Sequence, residues 1–334
     1  MQRIPFSELQ STLTAILLRL GFSAPRAGQC AQLFAETTRD GVYSHGVQRF
    51  PRFVAMICNG NVDVDAEPTL AAHFGAIERW QGNRGPGNLN AWACMDRSIA
   101  LAREHGIGFV ALANTNHWMR GGTYGWQAAD AGMVGICWTN TLPNVPAWGS
   151  VAPSIGNNPM VIAVPRASGH VVLDMAMSQF SYGALESYSL RGQMLPVDGG
   201  FDTNGELTRD PNAILASNRA LPIGYWKGSG LSIMLDMIAA MTSLGIATHR
   251  LGSDPLQEAG LSQVFLAIHP EAFGSSQRSA QIIDEIVDSL HRAPAAQVDS
   301  PVRYPGEKTL RLRAENLALG VPVDPALWQQ ILAL

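Results

Sequence analysis

The sequence predicts an α/β (α+β) protein, with a helical unit first and a mixed sheet after it. Two observations carry this. Residues 1–60 hold apolar positions at helical spacing and no strand-like run. Beyond them, short apolar runs rich in β-branched residues alternate with helical patterns, as expected of strands and helices packed in layers. With 334 residues, 46% of them hydrophobic, the chain can bury a core large enough for that architecture.

Each element follows from local signals. Ser7 with Gln10 reads as a capping box, and Leu9, Leu13, Ile16, Leu17 and Leu20 follow at helical spacing until Gly21. Ser23 and Pro25 open a second helix that runs to about Asp40 and stops at Gly41. The segment 47-VQRFPRFVAMICNG-60 predicts a third, short helix with Pro51 tolerated in its first turn. The tetrapeptide 43-YSHG-46 is the break before it. A helix is expected over 88–106 and a strand over 107–114, then a glycine-rich turn with a short helix. Strands follow over 133–140, 160–165 and 171–177. A helix near 229–245, a strand over 263–270 and a helix near 276–292 complete the pattern, and 196–213 reads as a long polar, turn-rich loop.

Composition excludes several function classes. The net charge of −4 and the absence of a basic run argue against a nucleic-acid or anionic-membrane partner. The most apolar stretch, 231-LSIMLDMIAAMTSLGIA-247, contains Asp236 and is too short to span a bilayer. The N-terminus has no apolar signal segment. Cys30, Cys58, Cys94 and Cys137 lie far apart with no CxxC pair, as expected of free thiols in a reducing cytoplasm. The eight histidines include no HExxH and no i,i+4 pair, so no metal site is expected. Charged residues are only 15%, against a usual value of about 25%. So sparse a charged surface suits a chain partly covered by a second copy.

Three stretches carry candidate chemistry. In 43-YSHGVQRFPR-52, a helix starting near Gly46 would put His45 and Arg49 on one face. A histidine moves protons near neutral pH, an arginine fork grips a carboxylate, and a helix N-terminus favours an anion. In 114-NTNHWMRGGTYG-125, His117 lies just past an apolar strand, where site residues of α/β sheets collect, and Trp118 and Tyr124 could wall a pocket. In 224-GYWKGSGLS-232, glycines leave the backbone open before a long helix, and Lys227 could meet a phosphate or carbonyl oxygen. Each stretch also reads as an ordinary capped turn, and the residues alone leave both readings open. A serine hydrolase using Ser44 and His45 lacks the first glycine of the nucleophile elbow and its upstream strand. The Rossmann fingerprint is also missing: 85-GPGNLN-90 lacks the third glycine, and 228-GSG-230 sits in the wrong context.

Together these motifs resemble one family. Y-S-H-G with an arginine four residues after the histidine, 114-NTNHWMRGGTYG-125, 194-MLPVDGGFD-202 and 222-PIGYWKGSG-230 are similar to the malate/L-lactate dehydrogenase family that lacks a Rossmann domain. The resemblance covers nearly the whole chain. It implies an NAD(P)-dependent oxidoreductase acting on 2-keto or 2-hydroxy acids or related imines, here with a sugar-derived keto acid as substrate and NADH preferred. It also implies a non-Rossmann cofactor domain and an interleaved homodimer with the active site at the subunit interface. The units it implies are 1–60 (helical), 61–140 (contributing to the substrate site), 141–300 (cofactor-binding) and 301–334 (packing back on the helical unit). By resemblance His45 is the proton donor, and Ser44, Arg49 and His117 lie near the substrate. Cofactor positions are Val172, Leu173, Asp174, Met175, Ala176, Met177, Ser178, Trp226, Lys227, Gly306, Glu307 and Lys308. Two departures stand out. Asn157 replaces the threonine common in the family, and the 305-PGEKT-309 turn lacks a histidine after its glycine.

Overall fold

The computed structural model describes residues 1–297 and 301–334, so the expected boundary at residue 300 falls outside the described residues. In chain order the helices are α1 (Phe6–Arg19), α2 (Ala24–Arg39), α3 (Phe50–Cys58), α4 (Gly87–His105), α5 (Gly122–Asp130), α6 (Tyr182–Leu190), α7 (Pro211–Ser217), α8 (Trp226–Ser243), α9 (Ser276–His291), α10 (Glu307–Leu319) and α11 (Pro325–Leu332). The strands are β1 (Gln2–Ile4), β2 (Thr69–Phe74), β3 (Ile77–Gln81), β4 (Ile107–Asn116), β5 (Val134–Thr139), β6 (Val145–Pro146), β7 (Pro153–Ile155), β8 (Met160–Val164), β9 (Val171–Met175), β10 (Gly200–Phe201), β11 (Leu207–Thr208), β12 (Ala259–Ile268) and β13 (Val321–Val323).

Seven strands form one mixed sheet in the order β2-β3-β4-β12-β5-β8-β9. Only β3 and β4 run parallel; the other neighbours are antiparallel. The sheet core is α4 and α5 packed on one side through Met95, Leu101, Trp118, Tyr124 and Phe265. On the other side α8 packs through Leu235 and Ala239 against Trp138 and Val264. A separate core gathers Leu9, Leu13, Phe34, Phe50 and Phe53 of the N-terminal helices with Val321, Trp328 and Ile331 of the C-terminal segment. The β1–β13 pair fastens the two chain ends together.

The α/β reading with an N-terminal helical unit holds, with local corrections. Helix α1 begins at Phe6, with Pro5 at its N-cap and no side-chain cap, so Ser7 and Gln10 form no capping box. The third helix begins at Phe50; Tyr43–His45 and Val47–Arg49 are two successive 3₁₀ turns, so His45 and Arg49 do not share one helical face. Pro51 does sit in the first turn of α3. The 196–213 stretch holds the β10–β11 hairpin and the start of α7 rather than an unbroken loop. Among the described residues no helix is long and apolar enough to cross a membrane.

Candidate active site

The end of α2 and the two 3₁₀ turns place Ser44 and His45. Thr38 of α2 accepts the Val47 N–H through its hydroxyl at 2.9 Å. Gly46 lies so close that a Cβ there would stand 2.2 Å from the same Thr38 oxygen. The turn is therefore pressed onto α2, and only glycine fits at that contact. On the other side, a Cβ at Gly183 would come within 2.8 Å of Ser44 Cβ, so α6 also crowds the turn. Ser44 Oγ lies 2.9 Å from His45 Nδ1, which fixes the ring.

His117 arrives from the end of β4. Its Nδ1 accepts the Met119 N–H at 3.0 Å. That bond leaves the proton of the neutral ring on Nε2, facing away from the backbone as a donor. Met119 holds a left-handed conformation at φ +66. The rings of His45 and His117 stack with centroids 5.9 Å apart. Burial, then the charges of Arg49 and Arg120, pushes His45 down to about 4. Burial, Arg49 and His45 likewise hold His117 well below its ordinary value. Both rings are neutral at pH 7 in the free protein.

The two histidines open onto a cleft of about 420 Å³. Ser44, His45, His117 and Arg120 line one side, and Val172, Leu173, Asp174, Ala176 and Gly306 another. The β9 segment and the 305–309 turn are thus brought together with the histidines. Val172 N–H donates to Pro305 O at 2.9 Å. Gly306 sits at φ +94, where a Cβ would lie 3.1 Å from Val172 N. Asn157 and Thr141 also line the cleft, with the Thr141 hydroxyl 3.1 Å from Asn157 Oδ1.

Other expected site residues lie apart from the cleft wall. Arg49 points its Nη2 at Glu258 Oε2, 3.2 Å away. Arg52, read from its position as structural, meets the same carboxylate at 3.3 Å and the Pro255 carbonyl as well. Met175 and Met177 pack in the α8 core, and the buried Ser178 hydroxyl has no hydrogen-bond partner among the described residues. Trp226 and Lys227 are exposed at the start of α8, just after Tyr225 at φ +62. Glu307 accepts the Tyr304 N–H and pairs with His291 at 3.1 Å, while Lys308 is exposed.

Three residues near the site escaped the sequence reading: Asp40, Arg120 and Glu258. Arg120, only 5% exposed, donates to Asp40 at 2.7 Å. Asp40 also takes bonds of 2.8 and 2.7 Å from Arg313 and one of 2.9 Å from Arg39. Burial would raise the Asp40 carboxyl, but the Arg313 hydrogen bonds and the charges of Arg120 and Arg39 outweigh it and hold it at about 2. A lone buried acid or arginine in a sequence signals the need for a partner, but not which one.

The comparisons agree with this architecture. A family model described as malate/L-lactate dehydrogenase matches residues 4–332. The chain is 47% identical over 332 residues to a 2,3-diketo-L-gulonate reductase of Citrobacter koseri, covering 99% of this chain and 100% of that one. It is 46% identical to the Escherichia coli proteins of that name over the same span. Among solved structures, sulfolactate dehydrogenase from Methanocaldococcus jannaschii superposes with a TM-score of 0.91 at 26% identity, covering 99% of this chain and 95% of that one. The delta1-piperideine-2-carboxylate reductase from Pseudomonas syringae does so with a TM-score of 0.89 at 28% identity, covering 100% and 99%. With the family model matched almost end to end, this chain belongs to the malate/L-lactate dehydrogenase family, oxidoreductases acting on hydroxy and keto groups.

Proposed function

We propose that this chain reduces the 2-keto group of a sugar-derived acid, taking 2,3-diketo-L-gulonate to 3-keto-L-gulonate at the expense of NADH. The observation that carries this is the end-to-end identity of 46–47% to reductases of that name. The stacked His45–His117 pair at the cleft supports it, because the acid that reduction needs sits beside a second donor.

The residues also fit the cofactor. The backbone of β9 and the glycine turn at Gly306 make one wall of the cleft, a close approach in which a Cβ at Gly306 would stand 3.1 Å from Val172 N. Val172–Ser178 and Gly306–Lys308 would hold it, with Trp226 and Lys227 contributing from the start of α8. A bound nicotinamide supplies the hydride. His117, its proton on Nε2, donates a hydrogen bond to the substrate carbonyl oxygen. His45, steadied by Ser44, delivers the proton to that oxygen as negative charge develops there. The free His45 is neutral, so it must gain that proton first. An anionic substrate offsets the charges of Arg49 and Arg120, which are part of what keeps the ring neutral, so the proton is taken up as substrate binds. Arg49 draws the carboxylate in, its Glu258 contact engaging a single nitrogen of the fork.

The protein works as a cytoplasmic homodimer in this reading. Its four cysteines are unpaired, with three of them buried, as suits a reducing compartment. The apolar face of α8 is the surface a second copy would cover.

Loss of NADH absorbance with a panel of 2-keto acids, run for the wild type and His45→Ala, tests the reading. The variant should lose about 10²–10⁴ in kcat with NADH affinity intact. Normal turnover by the variant would dispose of His45 as the donor. Arg49→Lys should chiefly raise KM, because charge is kept and the planar fork lost.

The hydrolase reading has its Ser44–His45 hydrogen bond. It lacks the surroundings, since these residues follow a helix and no described carboxylate pairs with the His45 ring. Failure of Ser44 to react with a fluorophosphonate would remove it.

A further inference from the structure

We propose that Arg120 is a second cation, besides Arg49, that receives the substrate carboxylate inside the cleft, and that Asp40 is the positioning residue that holds it there. The proposal rests on the keto-acid reading above and deepens it. Among the described residues Arg120 is the one arginine or lysine lining the cleft, which it shares with His45 and His117. Arg49 stands behind, turned toward Glu258.

The local charges leave Arg120 available. Around the cleft stand the guanidiniums of Arg39, Arg49, Arg52, Arg120 and Arg313, against the carboxylates of Glu36, Asp40, Asp174 and Glu258. Arg52 is matched by Asp254 and Glu186 as well as Glu258, and Arg313 by Asp130 and Glu36 as well as Asp40. Asp40 is shared by three of the arginines, so it anchors Arg120 without cancelling it. Asp174, the other acid near Arg120, spends Oδ2 on the Gly122 N–H at 2.8 Å. Arg120 Nε is buried with no hydrogen-bond partner among the described residues, and a buried charged donor left unmet is rare unless a ligand completes it.

The backbone is shaped for this placement. Met119 holds φ +66 between His117 and Arg120, so one strained turn presents both side chains to the cleft. Gly121 and Gly122 follow. A Cβ at Gly121 would lie 2.8 Å from the Trp118 ring, and one at Gly122 would lie 2.7 Å from Asp174 and 3.1 Å from Arg120 Nε. A side chain at Gly122 would therefore crowd Arg120 in its seat, and one at Gly121 would crowd the Trp118 ring.

The test compares a 2-keto acid with the matching neutral 2-keto amide, for the wild type, Arg120→Gln and Arg120→Lys. In Arg120→Gln the KM of the acid should rise about 100-fold while that of the amide stays near its wild-type value, so the acid preference collapses. Added guanidinium should restore part of the acid binding, which a purely structural loss would not allow. Asp40→Asn should weaken the acid preference less, as expected of a residue acting through another. A calorimetric titration with oxalate reads anion binding without turnover, so it decides the matter even if the chain reduces none of the acids offered. Oxalate should bind the wild type and bind Arg120→Gln at least about 30-fold more weakly. The proposal is overturned if the variant keeps the wild-type acid preference and oxalate affinity. It is equally overturned if the variant loses NADH affinity while those two stay unchanged.

Discussion

His45 shows how one side chain carries both chemistry and a stability cost. In the unfolded chain its ring protonates near the ordinary 6.5, and in the folded protein near 4. Between those values the unfolded state binds the extra proton and the native state does not. The stability that neutral His45 allows is therefore complete above about pH 6.5 and is lost as pH falls toward 4. His117 adds in the same direction. His45→Gln should shrink the loss of stability between pH 7 and pH 5 by about 2 kcal/mol, read from urea midpoints at the two pH values. An undiminished loss in the variant would mean that His45 is solvated and free to protonate. Ser44, His45 and His117 were legible in the sequence because each lies in a short motif of telling composition. Asp40, Arg120 and Glu258 were not, because their partners are remote: 80 residues separate Asp40 from Arg120, 273 separate it from Arg313, and 209 separate Arg49 from Glu258.

Among elements, legibility followed burial. Strands β4, β5, β8 and β9 and helices α2, α4 and α8 lay close to where apolar patterning put them, because each buries apolar side chains. Strand β2 was missed because all six of its residues are exposed, so it carries no alternation to read. Residues Val47–Arg49, just past the break after α2, were read as the start of the third helix because 3₁₀ and α segments share the same residue preferences and differ by one residue in hydrogen-bond spacing. The true shape of this turn depends on Gly46, whose contact with Thr38 is tertiary. Gly46→Ala should cost about 2 kcal/mol by overpacking. The clash involves Thr38 backbone atoms as well as its hydroxyl, so Thr38→Ala should not rescue it. Because the same turn carries His45, kcat should fall with stability in this variant, measured by thermal melts beside steady-state turnover. A fully active, fully stable Gly46→Ala protein would show that the turn can lift off α2 without consequence.

At the scale of the whole molecule, one unexplained apolar surface is α8. Its inner face packs Leu235 and Ala239 against the sheet. Its outer face exposes Leu231, Met234, Met237 and Met241, at intervals of three, three and four residues that keep them on one stripe, and Leu244 is exposed just past its end. Met241 and Leu244 are 67% and 72% exposed. A soluble monomer seldom leaves a continuous apolar stripe in water, whereas a two-fold interface needs a self-complementary one. Only 15% of the residues are charged, so little else on the surface offsets it. The stripe begins one turn after Trp226 and Lys227, so a second copy laid along α8 would also bring its own surface to residues proposed to hold the cofactor. That arrangement would make cofactor affinity depend on assembly. Met237→Asp combined with Met241→Asp should shift the proposed dimer to monomer in sedimentation at micromolar concentration, because a buried unpaired charge is strongly unfavourable. NADH affinity should drop in the same variant, while far-ultraviolet circular dichroism stays unchanged because both positions face outward. If the double variant sediments as the wild type does, the partner lies elsewhere and α8 is not the contact. If it becomes monomeric yet binds NADH as before, each copy holds its cofactor alone.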